Sequence, residues 1–240
     1  IEITHIEDAA ERKAVRDLTR VSALSVGYGA HPAILGEGLD INSLDEATRS
    51  HACQVLKRHV DEATYMGAES FVILSGKDPG KVQRKDGLKA LIKSLLELCE
   101  YAHAHNGPKI LLEGFDCAVD KCCLFGPAAI GRQIGSEVRD KYDNFGILVD
   151  LSHLPLLKES AAEAIEPVRE FLMGVHIGNA VTDPSLEGYG DNHPPFGTPG
   201  SANGVEEIVE FMKTLLRTGF FDEANRPMVS FEIKPLKNQD

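Results

Sequence analysis

Gly146–His153 reads GILVDLSH, an apolar run closed by an aspartate and followed by a short turn that ends in histidine. A charged residue at the end of an apolar strand is usually buried, and an unpaired buried ion costs about several kcal/mol. Asp150 therefore needs a partner, a proton or a metal. The same arrangement recurs on either side: Glu113 closes KILLE, His176 lies in MGVHI and Glu232 lies in MVSFE. Several of these runs are continuously apolar rather than alternating, as in strands covered on both faces.

Reading outward, strands are expected at Ile1–Ile6, Val21–Tyr28, Phe71–Leu74, Lys109–Phe115, Gly146–Leu151, Leu172–Ile177 and Pro227–Ile233. Helical spacing is found at Asp8–Thr19, in a helix opened by Ser43, Asp45 and Glu46, and at Leu88–His103. Further helical stretches lie around Ala128–Tyr142, Leu156–Phe171 and Val205–Thr218, and His31 and Pro32 read as loop. Strands alternating with helices define an α/β architecture. Periodicity alone does not separate a doubly wound sheet from a closed (β/α)8 barrel. The polar residues do bear on it, because strand ends converge on one mouth in a barrel. No GxGxxG or GxxxxGK[ST] follows any strand, which removes the usual phosphate cradle.

Three carboxylates and one imidazole offer hard oxygen donors with a borderline nitrogen. That set suits one divalent ion, Mn2+, Mg2+ or Co2+, better than a thiolate-bound structural zinc. A strand-end salt bridge is the competing explanation for any one of these residues taken singly. His153, three residues after Asp150, orients a metal-bound group or contacts substrate as a donor, or else is a loop histidine bonded to backbone. Gly178–Gly204 is too long for an ordinary unstructured loop and carries Asp191 and His193 at its centre. It reads as a functional lid or as a poorly ordered segment.

The chain of 240 residues has 25 basic and 37 acidic residues, giving a net charge of −12. Such a charge disfavours phosphate backbones and anionic lipid as partners. No apolar stretch approaches membrane-spanning length and no signal-peptide pattern opens the chain, so a cytoplasmic enzyme is expected. The five cysteines form no CxxC pair and read as reduced thiols, with Cys122 and Cys123 in loop or core. His103 and His105 read as structural residues at a helix end.

Taken together, LLEGFD around Glu113, VDLSH with Asp150 and His153, GVHIGN around His176 and SFEIKP around Glu232 resemble the xylose-isomerase-like TIM barrel superfamily. That group includes sugar isomerases, ketose 3-epimerases, hydroxypyruvate isomerases, inosose dehydratases and apurinic-site endonucleases. The resemblance spans nearly the whole chain and implies a single α/β TIM (β/α)8-type barrel domain over residues 1–240. It also implies that Glu113, Asp150, His176 and Glu232 bind the metal, with zinc admitted as an alternative ion. Glu113 and Glu232 would be the catalytic residues, exchanging protons with a sugar or polyol-like hydroxy-carbonyl substrate through a metal-stabilised enediolate. His153, Asp191, His193 and Lys234 would contact substrate, and a homodimer follows by analogy.

A lyase or dehydratase on the same scaffold and a noncatalytic sugar-binding barrel are the alternatives. DLSH and DNH also resemble elements that hold additional zinc ions in the endonucleases, so a second metal at His153, Asp191 and His193 is an option. The endonuclease pattern needs further histidines after two earlier strands, where this chain has SVGYGAHP and LSGKDP. That departure and the negative charge speak against a trinuclear DNA-repair site. Finally, Ile1–Ile6 resembles the family's second strand, which predicts that roughly 20–40 residues, a first β/α unit, precede Ile1 in the natural protein.

Overall fold

The computed structural model describes residues 1–222 and 227–234. In chain order the elements are β1 (Glu2–Ile3), α1 (Ala9–Val21), β2 (Gly27–Gly29), α2 (His31–Glu37), α3 (Glu46–Met66), β3 (Ser70–Leu74), α4 (Arg84–Ala104) and β4 (Lys109–Glu113). They continue with α5 (Ala128–Arg139), β5 (Phe145–Asp150), α6 (Leu154–Leu157), α7 (Ala161–Ile165), a 3-10 turn (Glu166–Val168), β6 (Leu172–Gly178), α8 (Val205–Arg217) and β7 (Met228–Glu232). The seven strands among the described residues follow chain order. The pairs β1–β2, β2–β3, β5–β6 and β6–β7 are parallel. Sequential parallel strands joined by helices make this an α/β fold of the TIM-barrel type.

The chain divides into two compact units, Ile1–Leu112 with Ser136–Gly146, and Glu113–Gly135 with Ile147–Asp240. In the first unit all five residues of β3 are buried, and Tyr28 of β2 stacks on Phe71 with ring centroids 5.4 Å apart. α3 packs against α4 and buries Ala52, Leu56 and Ala63. Asp45 caps it by accepting from the Thr48 N–H, and Gly67 ends it in the left-handed region that glycine enters without cost.

In the second unit α8 places Ile208, Phe211, Met212 and Leu215 on one stripe against Leu151, Leu154, Ile165, Val175 and Ile177. Each large side chain fully buried there contributes roughly 1.5–3 kcal/mol.

Several boundaries differ from the sequence reading. Ile1–Ile6 contributes only Glu2–Ile3 as strand. The run Val21–Tyr28 is strand only from Gly27, because α1 continues through Val21 and closes at Ala23 in the left-handed region. Its apolar Val21 and Leu24 are exposed, so apolar content misplaced the strand start. His31 and Pro32 open α2 rather than a loop, with proline where a missing N–H is harmless. Leu156–Phe171 is not one helix: Lys158 turns left-handed, and a Ser160–Glu163 capping box starts α7 afresh. No helix among the described residues is long and apolar enough to cross a membrane.

Candidate metal centre

Strand register brings the polar residues of the second unit together. Asp150 of β5 pairs with His176 of β6, and β6 pairs with β7 so that His176 faces Ser230 and Gly178 faces Glu232. Paired residues of parallel strands share a face, and a step of two residues returns to it. Asp150, His176 and Glu232 therefore share one face, with Glu232 one step further along. Gly178 leaves that step open: a Cβ there would lie 3.0 Å from His193 Nδ1 and 3.0 Å from the Glu232 carbonyl oxygen.

His176 Nδ1 lies 3.0 Å from Glu232 Oε2, 3.5 Å from Glu113 Oε1 and 3.8 Å from Asp150 Oδ2. One ring nitrogen has at most one proton, so hydrogen bonding cannot hold three carboxylate oxygens around it. A cation can. These separations fall between the cis and trans spacings, about 3.0 and 4.2 Å, of donors on a sphere of ~2.1 Å radius. The four ligand atoms of Glu113, Asp150, His176 and Glu232 all lie within 4.8 Å of one another. Glu113, Asp150 and His176 are buried, whereas the Glu232 side chain is 34% exposed.

Asp150 gives one oxygen, Oδ1, to the Ser152 N–H at 2.6 Å. Its Oδ2 and His193 Nδ1, 3.8 Å apart, are both buried without a hydrogen-bond partner. Two orphaned donor atoms converging in a carboxylate-rich pocket fit a bound cation. Burial pushes the Asp150 carboxyl above its ordinary range, against the pull of His153, His193 and His176. Burial also raises Glu232, but the contact from His176 and the charge of His193 outweigh it and hold the carboxyl below its ordinary range.

A second layer surrounds this set. Asp191 Oδ1 accepts from His153 Nε2 at 3.0 Å and from His193 Nε2 at 2.9 Å. His153 Nδ1 donates to the Gly114 carbonyl at 2.8 Å. With acceptors at both nitrogens His153 must be an imidazolium. Burial lowers its value, yet Asp191, Asp150 and Glu113 raise it to about 10. Burial opposes ionisation of Asp191, but the two imidazoles hold its carboxyl far below the usual range. His193 is likewise raised: burial disfavours its charge, while Asp191, Asp150 and Glu232 outweigh burial. His193 itself sits in the left-handed region at φ 47°.

All the residues expected from sequence except Lys234 are thus gathered closely. Lys234 is at the exposed rim, its Nζ 3.8 Å from Glu232 Oε1 and its N–H donating to the His193 carbonyl at 2.7 Å. His153 meets backbone through Nδ1, as the loop-histidine reading has it, and its Nε2 is taken up by Asp191. The Gly178–Gly204 segment is tied down through bridges from Val181 to Tyr189 and to Ser201.

Sequence reasoning missed the residues that brace the centre. Lys121 Nζ stands 3.4 Å from Asp191 Oδ2, and Asp116 shapes the loop that carries it by accepting from the backbone N–H groups of Ala118, Val119, Asp120 and Lys121. Phe115 lies against His153 at 4.3 Å between ring centroids. Asn203 donates to the carbonyls of Leu151 and Gly178, both at 3.0 Å, joining the ends of β5 and β6. An aspartate just past a strand end, as in GFDCAVDK, is a turn-forming signal that could have marked Asp116.

Sequential parallel strands with carboxylates and histidine at their C-terminal ends define a TIM barrel with a candidate metal site. The chain belongs to the xylose isomerase-like TIM barrel family, whose family model matches residues 3–238. No curated protein matches it. Among solved structures it resembles a D-tagatose 3-epimerase-like protein at 20% identity and TM-score 0.74, covering 98% of this chain and 82% of that one. A D-psicose 3-epimerase with D-tagatose from Clostridium cellulolyticum H10 aligns at 16% identity and TM-score 0.72, over 97% and 73% of the two chains. The IOLI protein with a bound zinc atom aligns at 18% identity and TM-score 0.71, over 97% and 78%. At these identities the likeness is one of fold.

Proposed function

We propose that this chain is a divalent-metal-dependent isomerase or epimerase acting on a sugar or polyol-like hydroxy-carbonyl compound. The observation that carries the reading is the single nitrogen of His176 set among the carboxylates of Glu113, Asp150 and Glu232. Glu113, Asp150, His176 and Glu232 would hold the ion. When bound, Mn2+, Mg2+, Co2+ or Zn2+ would polarise a substrate oxygen and ease loss of a proton from the adjacent carbon. The fold shared with a D-tagatose 3-epimerase-like protein and a D-psicose 3-epimerase supports a sugar as substrate.

Glu232, held ionised and partly exposed, is suited to take a carbon-bound proton and to exchange it with water. Glu113, on another strand and buried, would serve the opposite face of the substrate. Lys234 and His193 would contact substrate oxygens from the rim and loop. His153 and Asp191 join that contact set by fixing the His193 ring. The test is incorporation of deuterium from heavy water into carbon-bound positions of ketoses, aldoses and inososes with Mn2+ or Co2+ added. Exchange by the parent protein, lost in Glu232→Gln, is the expected result, and no exchange across that panel would overturn the reading.

A further inference from the structure

The first unit carries a separate set of metal-type donors. His59 and Glu62 lie three residues apart on α3 and so share a face. His5 comes from the segment after β1, and Tyr28 comes from β2. His5 Nδ1 is 2.5 Å from Glu62 Oε2, and His59 Nδ1 is 3.8 Å from the same oxygen. The Tyr28 hydroxyl lies 3.1 Å from Glu62 Oε2 and 3.0 Å from His59 Nδ1. The other oxygen, Oε1, is occupied by the Ile6 N–H at 3.0 Å and faces the Arg12 guanidinium at 3.6 Å. Glu62 is thereby turned so that Oε2 alone meets the donors, and both imidazoles present the same nitrogen to it.

We propose that His5, His59 and Glu62 form a zinc site distinct from the candidate centre, with the Tyr28 hydroxyl beside it as a fourth oxygen. Two imidazole nitrogens and a carboxylate oxygen are the mixed N/O set that zinc takes, and the three ligand atoms lie within 4.8 Å of one another. His59 and Glu62 are buried, which holds them in place, while the His5 side chain is 44% exposed and gives the ion a way in. Ligation through Nδ1 leaves each ring proton on Nε2. The site would be structural: β1 has two residues, the segment from Thr4 to Asp8 has no regular structure, and the ion would fasten that segment to α3.

The experiment is zinc titration of the metal-stripped chain, with stoichiometry read by native mass spectrometry and melting temperature followed in parallel. The parent protein is compared with His5→Ala, His59→Asn and Glu113→Gln. Two equivalents in the parent, one in His5→Ala and in His59→Asn, and retention of this second equivalent in Glu113→Gln are expected. Because His5 is half exposed and outside any helix, His5→Ala decides the matter if His59→Asn does not fold. Binding by His5→Ala with the parent's stoichiometry and affinity would overturn the proposal, as would a parent that takes up one zinc ion and loses it in Glu113→Gln.

Discussion

Asp116 is fully buried, and burial pushes its carboxyl up, but four successive backbone N–H groups outweigh burial and hold it below its ordinary range. A depressed value in the folded state means that the stabilisation is present above the unfolded value of about 3.9 and is lost as pH falls through the folded value. Asp116→Asn is therefore expected to destabilise the protein by roughly 1–3 kcal/mol at pH 7. The gap should narrow below about pH 4. Urea unfolding of both proteins at pH 7 and pH 3 checks this, and an equal gap at the two values would contradict it. On the proposed function, Glu113→Gln and Glu232→Gln are each expected to slow carbon-proton exchange by about 10²–10⁴-fold. Single-turnover deuterium exchange with the metal-loaded variants measures it. The cluster of Glu113, Asp150, His176 and Glu232 was legible in the sequence because an acidic or imidazole side chain ending an apolar strand stands out. Lys121 and Asn203 were not legible, because their partners, Asp191 and the Leu151 and Gly178 carbonyls, are supplied by distant segments.

Elements show the same division. β3, β4 and β5 were readable because burial on both faces makes them continuous apolar runs, whereas β2 is three residues long and was masked by the apolar end of α1. The break between α6 and α7 rests on the backbone conformation of Lys158, which composition does not reveal. At Gly178, β6 lies close to both β7 and the long loop, with Ser152 Cβ another 3.1 Å from where a Cβ on Gly178 would stand. Gly178→Ala should push His193 and the Glu232 backbone outward. Metal affinity is expected to fall at least about tenfold, the cost typical of disturbing the groups that orient ligands. Isothermal titration with Mn2+ checks it, alongside a circular dichroism spectrum that should remain that of the parent.

For the whole molecule, the proposed metal binding would be a property of the folded state, because the clustered donors come from segments far apart in sequence. A divalent ion at a hundred times its dissociation constant is then expected to add about 2.7 kcal/mol to stability. Denaturant midpoints with and without a chelator measure it. A midpoint indifferent to Mn2+, Co2+ and Zn2+ would count against both metal sites. The fold class was open to sequence reasoning because alternation of strands and helices is repeated along the chain. The register that aligns Asp150, His176 and Glu232 across three strands is not, since it depends on pairings between residues far apart in sequence.

His193 combines a ring set between Asp150 and Asp191 with a backbone at φ 47°, a region that asparagine, aspartate and glycine enter more readily than β-branched residues. A saturation library at this codon would therefore yield different winners under different selections. Screening for soluble protein would enrich asparagine, aspartate and glycine, whereas screening for turnover would return histidine. Position 193 is thus a place where evolutionary pressure for foldability and pressure for chemistry can be separated by sequencing survivors.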